Sequence, residues 1–261
     1  MKVVCCQTDI AWENKTANHT KVKALLAQAA IPKGSLVLLA EMFSTGFSMN
    51  VAAIAEGEAA TSEKFLANLA REFEIYLLGG VVTATVDGRG RNEALVFSPK
   101  GKEIARYCKM QPFTRGGESA NYVAGAKSVF FSCGEVLVSP FICYDLRFPE
   151  LFRVAAWRKP HLITVIASWP DIRLHHWVKL LVARAIENQA YVAGVNRIGK
   201  DPQHSYSGRS LIVNPHGEII ADAGDRECVI SADIDLDGLL AYRRDFPALP
   251  DMRADFVRRA E

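Results

Sequence analysis

Long hydrophobic runs are missing from this sequence. No stretch approaches the ~20 consecutive apolar residues that a membrane-spanning helix needs. Residues 1–7 are typical of a short strand, and they have neither the apolar region nor the cleavage site of a secretory signal peptide. We therefore expect no membrane partner and a location in the cytoplasm.

An excess of charge of one sign is also missing. The 261 residues include 31 Lys and Arg against 29 Asp and Glu, which gives a formal net charge of +2. Proteins that bind nucleic acid concentrate basic residues in a stripe or patch, and this balance does not indicate one. We expect no nucleic-acid partner.

Cysteines at metal-binding or redox spacing are missing as well. The six cysteines show no C-x-x-C pattern, and in a chain of this length they indicate free thiols in a reducing compartment. Cys5 and Cys6 would point to opposite faces of a strand, and the neighbouring His175 and His176 would not share a face of a helix. Neither pair makes a good metal site. For the reaction considered below we expect neither a metal nor an organic cofactor.

The sequence does contain short apolar segments, typical of buried strands, that alternate with segments at helical spacing. Residues 36–40 and 161–168 read as strands buried on both sides, and residues 174–189 as an amphipathic helix. Residues 42–57 read as a loop. The length and the 49% hydrophobic content fit one domain spanning residues 1–261, with two smaller domains as the alternative.

An internal repeat indicates how these elements are arranged. Residues 96–105 and 212–221 share an apolar pair, a Ser/Asn-Pro-x-Gly turn and an apolar strand, and each hairpin follows a strand–helix–strand unit. Two similar halves would bury their sheets face to face. The expected fold class is therefore α/β, a four-layer α-β-β-α sandwich of two mixed sheets with helices outside. Such hairpins are common, so chance is the alternative explanation of the repeat.

The segment around Cys143 is the one on which the functional prediction rests. Residues 135–142 have strand character, and Pro149 stands where proline best tolerates the start of a helix. Cys143 therefore lies on a turn from a strand into a helix, clear of the sheet and close to free backbone N–H groups. The alternative is a buried structural cysteine, because free cysteine is among the most buried residue types.

Two further reactive residues directly follow apolar strands, as Cys143 does. Glu41 comes after residues 36–40, and Lys109 closes the strand of residues 103–108. Reactive groups in parallel sheets collect beyond the carboxyl ends of strands. A thiolate can attack an acyl carbon, a carboxylate can take the thiol proton, and an ammonium group beside the backbone N–H of Tyr144 can stabilise the oxyanion. A nearby lysine also lowers the pKa of a thiol.

Several motifs resemble those of one known family. They are Leu38-Leu-Ala-Glu-Met-Phe43, Tyr107-Cys-Lys109, Cys143-Tyr-Asp-Leu-Arg-Phe-Pro-Glu150, Trp169-Pro170 and Ala183-Arg-Ala-Ile-Glu-Asn-Gln-Ala-Tyr191. Together they resemble the signature blocks of the nitrilase (carbon–nitrogen hydrolase) superfamily over nearly the whole chain.

This resemblance implies roles for four residues. Glu41 is the general base, Lys109 stabilises the oxyanion and Cys143 is the nucleophile. The family's second glutamate falls on Glu118, although residues 110–117 depart from the run that is familiar in many members. The resemblance also implies the sandwich fold and a homodimer or higher homo-oligomer.

Within the superfamily, the motifs look like those of the ω-amidase branch. That branch hydrolyses the terminal amide of 2-oxoglutaramate or 2-oxosuccinamate. Amidases of deaminated glutathione are somewhat less similar, and N-carbamoyl or aliphatic amidases on the same fold are further alternatives. A non-catalytic binding or scaffold protein is the alternative from another class. It would lack a catalytic residue, and none is missing here.

An anionic amide substrate needs a cationic group to bind its carboxylate, and arginine suits bidentate binding. We favour Arg173, which follows Trp169-Pro-Asp, and expect Arg147 to form a structural ion pair with Asp145 or Glu150. Tyr144 supplies its N–H to the oxyanion. The aromatic side chains expected to wall a small pocket are Phe43, Phe113 and Trp169, with core packing as the alternative for each.

Overall fold

The computed structural model describes residues 1–253 and 255 of the chain. The strands, numbered in chain order, are β1 (Lys2–Gln7), β2 (Leu36–Leu38), β3 (Tyr76–Ala84), β4 (Gly90–Phe97), β5 (Glu103–Cys108), β6 (Phe131–Cys133), β7 (Val136–Ile142), β8 (Leu162–Ala167), β9 (Tyr191–Asn196), β10 (Ile198–Lys200), β11 (Ser205–Ser207), β12 (Leu211–Val213), β13 (Ile219–Asp222) and β14 (Cys228–Asp233). The α-helices with described bounds are α1 (Lys15–Gln28), α2 (Val51–Ile54), α3 (Thr61–Phe73), α4 (Glu118–Asn121), α5 (Pro149–Ala156), α6 (Leu174–Asn188) and α7 (Leu236–Asp245).

Two six-stranded mixed sheets contain most of the strands. The first has the order β14-β1-β2-β3-β4-β5 and the second the order β13-β12-β9-β8-β7-β6. In each sheet three neighbouring strands are parallel, β1-β2-β3 in one and β7-β8-β9 in the other, and the remaining pairs are antiparallel. The repeated hairpins are β4–β5 and β12–β13, and they occupy equivalent places in the two sheets.

The alternation of β1 shows how the layers are built. Val3 and Cys5 point into the core between the two sheets, whereas Val4 and Cys6 point to the outer face, where α1 and α3 cover them. Successive side chains of a strand alternate between its faces, so one apolar strand contributes to both cores. Helices α5 and α6 cover the second sheet through Phe152 and other apolar residues. The fold is thus the predicted α-β-β-α sandwich, and Cys5 and Cys6 face opposite sides as expected.

Three local features differ from the sequence-based expectations. The loop predicted at residues 42–57 contains the short helix α2. The apolar spacing of residues 12–30 predicts a helix over that whole range, but α1 begins at Lys15, because the side chain of Asn14 accepts a hydrogen bond from the Ala17 N–H and caps the helix. Residues 198–207 form a separate two-stranded hairpin, β10–β11, which was not predicted.

None of the helices in the described part of the chain is long and apolar enough to span a membrane.

Candidate active site

The structure brings Glu41 and Lys109 together at the carboxyl ends of their strands. The Nζ atom of Lys109 lies 2.8 Å from Oε1 of Glu41, and both side chains are buried. Gly80 on β3 permits this arrangement, because a Cβ atom there would lie 2.5 Å from the Met42 nitrogen and 2.8 Å from the Glu41 Cα. The chain after β2 therefore rests directly against β3, and Met42 adopts a left-handed backbone conformation.

Glu118 joins the same cluster. It is fully buried at the start of α4, and its carboxylate lies 2.8 and 3.1 Å from Nζ of Lys109. The Phe113 N–H donates to Oε2 of Glu118 over 2.6 Å. The glutamate that follows the unusual loop of residues 110–117 is thus in contact with the lysine.

Asn92 is part of the cluster, although sequence reasoning did not single it out. Its Nδ2 group donates to Oε1 of Glu41 over 2.7 Å and to Oε1 of Glu118 over 2.9 Å. Asn92 lies on β4 and is 1% exposed. An asparagine within an apolar strand is the sequence feature that could have identified Asn92, because asparagine is depleted in strands.

Cys143 lies beside this cluster and interacts with the charges of Glu41 and Lys109. The thiol donates to the Ser168 carbonyl oxygen, with Sγ and O 3.9 Å apart, and the Ser168 N–H donates to Oε2 of Glu41 over 2.9 Å. The Cys143 sulfur and the Glu41 carboxylate thus both contact Ser168. Cys143 has a φ of +45°, a left-handed conformation that is strained for a non-glycine residue and typical of functional turns.

The charges of the cluster act on both the thiol and the lysine. Burial and the negative charge of Glu41 raise the pKa of Cys143 well above its usual value, and the nearby Lys109 only partly offsets them. Lys109 therefore lowers the pKa of the thiol, as expected, but burial and Glu41 raise that pKa by more. For Lys109, burial opposes the charged form, yet the carboxylates of Glu118 and Glu41 hold its pKa well above the usual value. These directions favour a neutral thiol and a protonated lysine.

Asp145 stabilises the turn that carries Cys143. Its carboxylate accepts hydrogen bonds from the Ile142 N–H at 2.9 Å, the Gln111 N–H at 2.9 Å and the Tyr107 hydroxyl at 2.7 Å. The turn continues as a 3₁₀-helix over Cys143–Arg147, and α5 follows with Pro149 in its first turn. The strand–turn–helix geometry predicted around Cys143 is thus what the structure has.

The prediction for Arg147 is wrong. Within the described residues it forms no ion pair with Asp145 or Glu150, because the Asp145 oxygens are already occupied by the groups named above. The guanidinium instead lies over the Trp169 ring, 4.8 Å from its centroid, and Nη2 contacts Nδ1 of His176 over 3.1 Å.

A cavity of about 460 Å³ opens above Cys143 and Lys109. Four of the predicted substrate-binding residues line it: Tyr144, Arg173, Trp169 and Phe113. Other lining residues come from the β10–β11 hairpin and were not predicted: Gln203, His204 and Tyr206.

Phe43 does not line this cavity, and that prediction is wrong. After the turn at Met42, Phe43 points to the outer face of the first sheet, where it is 1% exposed and packs near His19 and Phe65. Phe47 takes its place in the pocket wall, with the Lys109 Nζ 5.3 Å from its ring centroid.

Two arginines share one wall of the cavity. The guanidinium of Arg173 lies 5.5 Å from the Phe113 ring centroid, next to that of Arg147. Burial and the charge of Arg173 lower the pKa of Arg147. Neither arginine has a carboxylate partner among residues 1–253 and 255, so the wall presents two cationic groups to a ligand.

A comparison with family models decides the classification, because residues 2–244 match the model described as carbon-nitrogen hydrolase. The chain belongs to the carbon–nitrogen hydrolase family. It is therefore an enzyme that hydrolyses carbon–nitrogen bonds of amides, and the resemblance inferred from its motifs is confirmed.

Individual members of the carbon–nitrogen hydrolase family are similar over almost the full length. The chain is 37% identical to the Omega-amidase YafV of Yersinia enterocolitica, with 96% of each chain covered. It is 30% identical to the 2-oxoglutaramate amidase of Bacillus subtilis, with 97% of this chain and 98% of that one covered. The solved structure of a CN-hydrolase superfamily protein from Xanthomonas campestris matches with a TM-score of 0.90, 30% identity and 97% coverage of both chains.

The neighbouring histidines lie at the edge of this hydrolase site. The rings of His175 and His176 are in contact, with centroids 4.1 Å apart, and His176 contacts Arg147. In the part of the chain that the structure describes, no cluster of three or more His, Cys, Asp or Glu side chains could hold a metal ion.

Proposed function

We propose that this carbon–nitrogen hydrolase is an ω-amidase. Its substrate class is a small terminal amide that carries a carboxylate, such as 2-oxoglutaramate or 2-oxosuccinamate, and its products are ammonia and a 2-oxo dicarboxylate. The observation that carries this proposal is the pair of guanidinium groups, Arg147 and Arg173, in the cavity that ends at Cys143. The names of the two relatives, an omega-amidase and a 2-oxoglutaramate amidase, support it.

The proposal assigns the first half-reaction to Cys143, Glu41 and Lys109. Glu41 takes the thiol proton as the sulfur attacks the amide carbon, and the carbonyl electrons move to the oxygen. Lys109 and the Tyr144 N–H stabilise this oxyanion. Tyr144 is in the first turn of a 3₁₀-helix, where backbone N–H groups have no partner within the helix.

The intermediate then collapses to a thioester. The electron pair returns from the oxygen to re-form the carbonyl, the carbon–nitrogen bond breaks, and Glu41 returns its proton to the leaving nitrogen, so ammonia departs. In the second half-reaction Glu41 takes a proton from water as the water oxygen adds to the thioester. Collapse of that intermediate breaks the carbon–sulfur bond, and the thiolate recovers the proton. The sum is amide plus water giving acid plus ammonia.

The role of Glu118 in this proposal is to keep Lys109 charged and in place. A buried lysine with one carboxylate partner could transfer its proton when the thiol is deprotonated, whereas two carboxylates favour the ammonium form. Lys109 therefore remains a cation throughout the cycle.

The cavity wall supplies the recognition of the acid end. Two arginines that have no carboxylate partner in the described part of the chain favour an anion, since a ligand carboxylate would offset their mutual repulsion. Trp169, Phe113 and Tyr144 would pack on the short carbon chain of the substrate.

We further propose a domain organisation, a location and an oligomeric state for the enzyme. The whole chain is one catalytic domain, because side chains from both sheets share one core. The enzyme acts in the cytoplasm, in keeping with its free cysteines. It forms a homodimer or a higher homo-oligomer, which light scattering of the purified protein would measure.

Steady-state kinetics on a substrate panel test the assignment. We expect the highest kcat/KM on 2-oxoglutaramate, a lower value on deaminated glutathione, and still lower values on N-carbamoyl amino acids and neutral aliphatic amides. If the enzyme hydrolysed another substrate of the panel but not 2-oxoglutaramate, the ω-amidase assignment would be wrong. No turnover of any amide would favour a binding or scaffold protein.

A further inference from the structure

The amide of Asn92 bridges the two carboxylates of the cluster. Its Nδ2 group gives one hydrogen to Oε1 of Glu41 and the other to Oε1 of Glu118, at 2.7 and 2.9 Å. The same two oxygens lie 2.8 and 3.1 Å from Nζ of Lys109. One neutral donor and one cation thus hold the two carboxylates together.

The donors to Glu41 determine which of its oxygens can accept a proton. A carboxylate oxygen has two lone pairs. Those of Oε1 are both engaged, by Lys109 and Asn92, whereas Oε2 receives from the described residues only the Ser168 N–H. Oε2 therefore keeps one lone pair for a proton, and Ser168, which donates to Oε2, also accepts from the Cys143 thiol through its carbonyl oxygen.

The other atom of the Asn92 amide shows that this orientation is imposed. Oδ1 is buried and has no hydrogen-bond partner among the described residues. A buried acceptor without a partner is unfavourable and requires an explanation. Here the opposite orientation would place Oδ1 against two carboxylate oxygens. The two charge-assisted hydrogen bonds from Nδ2 therefore fix the amide.

The backbone of Asn92 is fixed as well. It pairs with Val82 across β3 and β4, and its carbonyl oxygen accepts from the Lys109 N–H over 2.9 Å. The amide that orients the two carboxylates thus also holds the main chain from which the lysine extends.

We propose that Asn92 is a positioning residue for this hydrolase: it holds Glu41 and Glu118 against Lys109 and leaves Oε2 of Glu41 to receive the thiol proton. The inference rests on the proposed function, in which Glu41 is the base. An asparagine suits the task because it donates two hydrogen bonds without adding a charge that would oppose protonation of Glu41.

Several titratable groups surround the amide and have to be considered in a pH experiment. Glu41, Glu118, Lys109 and Cys143 belong to the cluster itself. Two further buried groups interact with its charges: Tyr122, which is sensitive to both carboxylates, and Asp145, which is sensitive to Lys109. All of these remain in Asn92→Leu, which adds no titratable group, so the comparison of that variant with the wild type isolates the amide.

The variants Asn92→Leu and Asn92→Asp test the proposal. Both approximate the shape of asparagine, and neither offers two donors at neutral pH. We expect kcat to fall about tenfold or more with KM changed less than threefold, because substrate contacts are intact. We also expect the acid limb of kcat/KM to move up by about one pH unit, because the ionised carboxylates have lost a donor.

Asn188→Ala is the matched control. Asn188 is also buried, its Nδ2 donates to the Arg184 carbonyl oxygen over 3.0 Å, and it ends α6 far along the helix from the cavity. Asn188→Ala should lower the free energy of unfolding and leave the acid limb of kcat/KM unchanged. If both Asn92 variants fold and keep the wild-type acid limb and kcat, the proposal is wrong. If Asn92→Leu does not fold, Asn92→Asp alone decides.

A second readout does not depend on the substrate. The rate of Cys143 alkylation by iodoacetamide, followed by peptide mass spectrometry, reports how readily the thiol loses its proton. In the Asn92 variants we expect a lower plateau rate and the same upward shift of the acid limb; an unchanged profile would overturn the positioning role. If the wild-type enzyme hydrolysed no oxo-amide and the Asn92 variants still differed from it in the alkylation profile, the ω-amidase assignment would be wrong. The positioning role of Asn92 would remain supported.

Discussion

Burial and the charge of Glu41 raise the pKa of the Cys143 thiol, and Lys109 offsets them only in part, so the neutral thiol is favoured before a substrate binds. In the proposed mechanism the proton therefore leaves the sulfur as the sulfur attacks, without a preformed thiolate. Such a site avoids unselective reactions of an exposed thiolate with electrophiles, since the thiolate is the reactive species.

The two arginines of the cavity wall should determine both the affinity and the choice of substrate. Replacing Arg147 or Arg173 by Gln should raise KM for 2-oxoglutaramate about 10- to 100-fold, the loss expected when a hydrogen bond to a charged group is removed. KM for a neutral aliphatic amide should not rise. Steady-state kinetics on both substrates measure this selectivity.

Arg71→Gln is the control for that experiment, because Arg71 is exposed on α3 and outside the cavity. It should leave both KM values unchanged. Equal effects of the cavity variants on the charged and the neutral amide would contradict carboxylate recognition by the arginines.

Sequence reasoning was most successful for residues that follow strands and least successful for directions of side chains. Glu41, Lys109 and Cys143 were identified from their positions after apolar segments. The direction of Phe43 depends on the left-handed turn at Met42, which local sequence did not indicate. Arg147 was assigned an ion pair because acidic residues are close in sequence, but its neighbours in space are Trp169 and His176.

At the scale of elements, the contact between the end of β2 and β3 should control the position of Glu41. In Gly80→Ala the new Cβ would lie 2.5 Å from a backbone nitrogen, which cannot move without displacing Glu41. We expect a loss of about 1–3 kcal/mol in the free energy of unfolding, as for other overpacked sites, together with a large loss of kcat. Urea denaturation and steady-state kinetics measure the two effects.

Gly57→Ala is the matched control, since a Cβ atom at Gly57 would meet nothing within 4 Å. Its stability and kcat should stay close to the wild-type values. If Gly80→Ala behaved in the same way, the close approach of the two segments would not be needed to place Glu41.

The turn after β7 should respond to pH through Asp145. Burial raises the pKa of Asp145 to about 6. Between that value and the ordinary value near 3.8, the native protein binds a proton that the unfolded chain does not. This group's contribution to the free energy of unfolding therefore increases as the pH falls, by about 1 kcal/mol from pH 7 to pH 5.

Asp145→Asn removes this proton uptake and also one acceptor for the N–H groups and the hydroxyl that Asp145 binds. We expect the variant to be less stable than the wild type, and the difference to be larger at pH 5 than at pH 7. Urea denaturation at both pH values measures it. A difference that is constant or smaller at pH 5 would show that Asp145 does not titrate in this range.

Short elements were harder to predict than the sheets. The buried strands were recognisable because they are apolar throughout, as strands covered on both faces are. The hairpin β10–β11 and helix α2 are short and are fixed by contacts distant in sequence. The Arg197 side chain, for example, donates to carbonyl oxygens of Ile10 and Lys200 and so links the hairpin to the segment after β1.

At the scale of the whole molecule, the two halves explain why the site is where it is. The parallel strands of both sheets end on the same side, and Glu41 follows β2 in one half as Ser168 follows β8 in the other. The Ser168 N–H then donates to Glu41 across the interface of the halves. The repeat of the β4–β5 and β12–β13 hairpins in the sequence was sufficient to predict this sandwich, whereas the contacts across the interface required the structure.

In the proposed mechanism the Cys143 sulfur becomes acylated by the substrate. Intact-protein mass spectrometry after brief mixing with 2-oxoglutaramate and an acid quench would detect this acyl-enzyme. We expect an added mass equal to the substrate acyl group, mapped by peptide analysis to Cys143 and missing in Cys143→Ala. Ammonia release by Cys143→Ala at the wild-type rate, or an adduct on another residue, would contradict it.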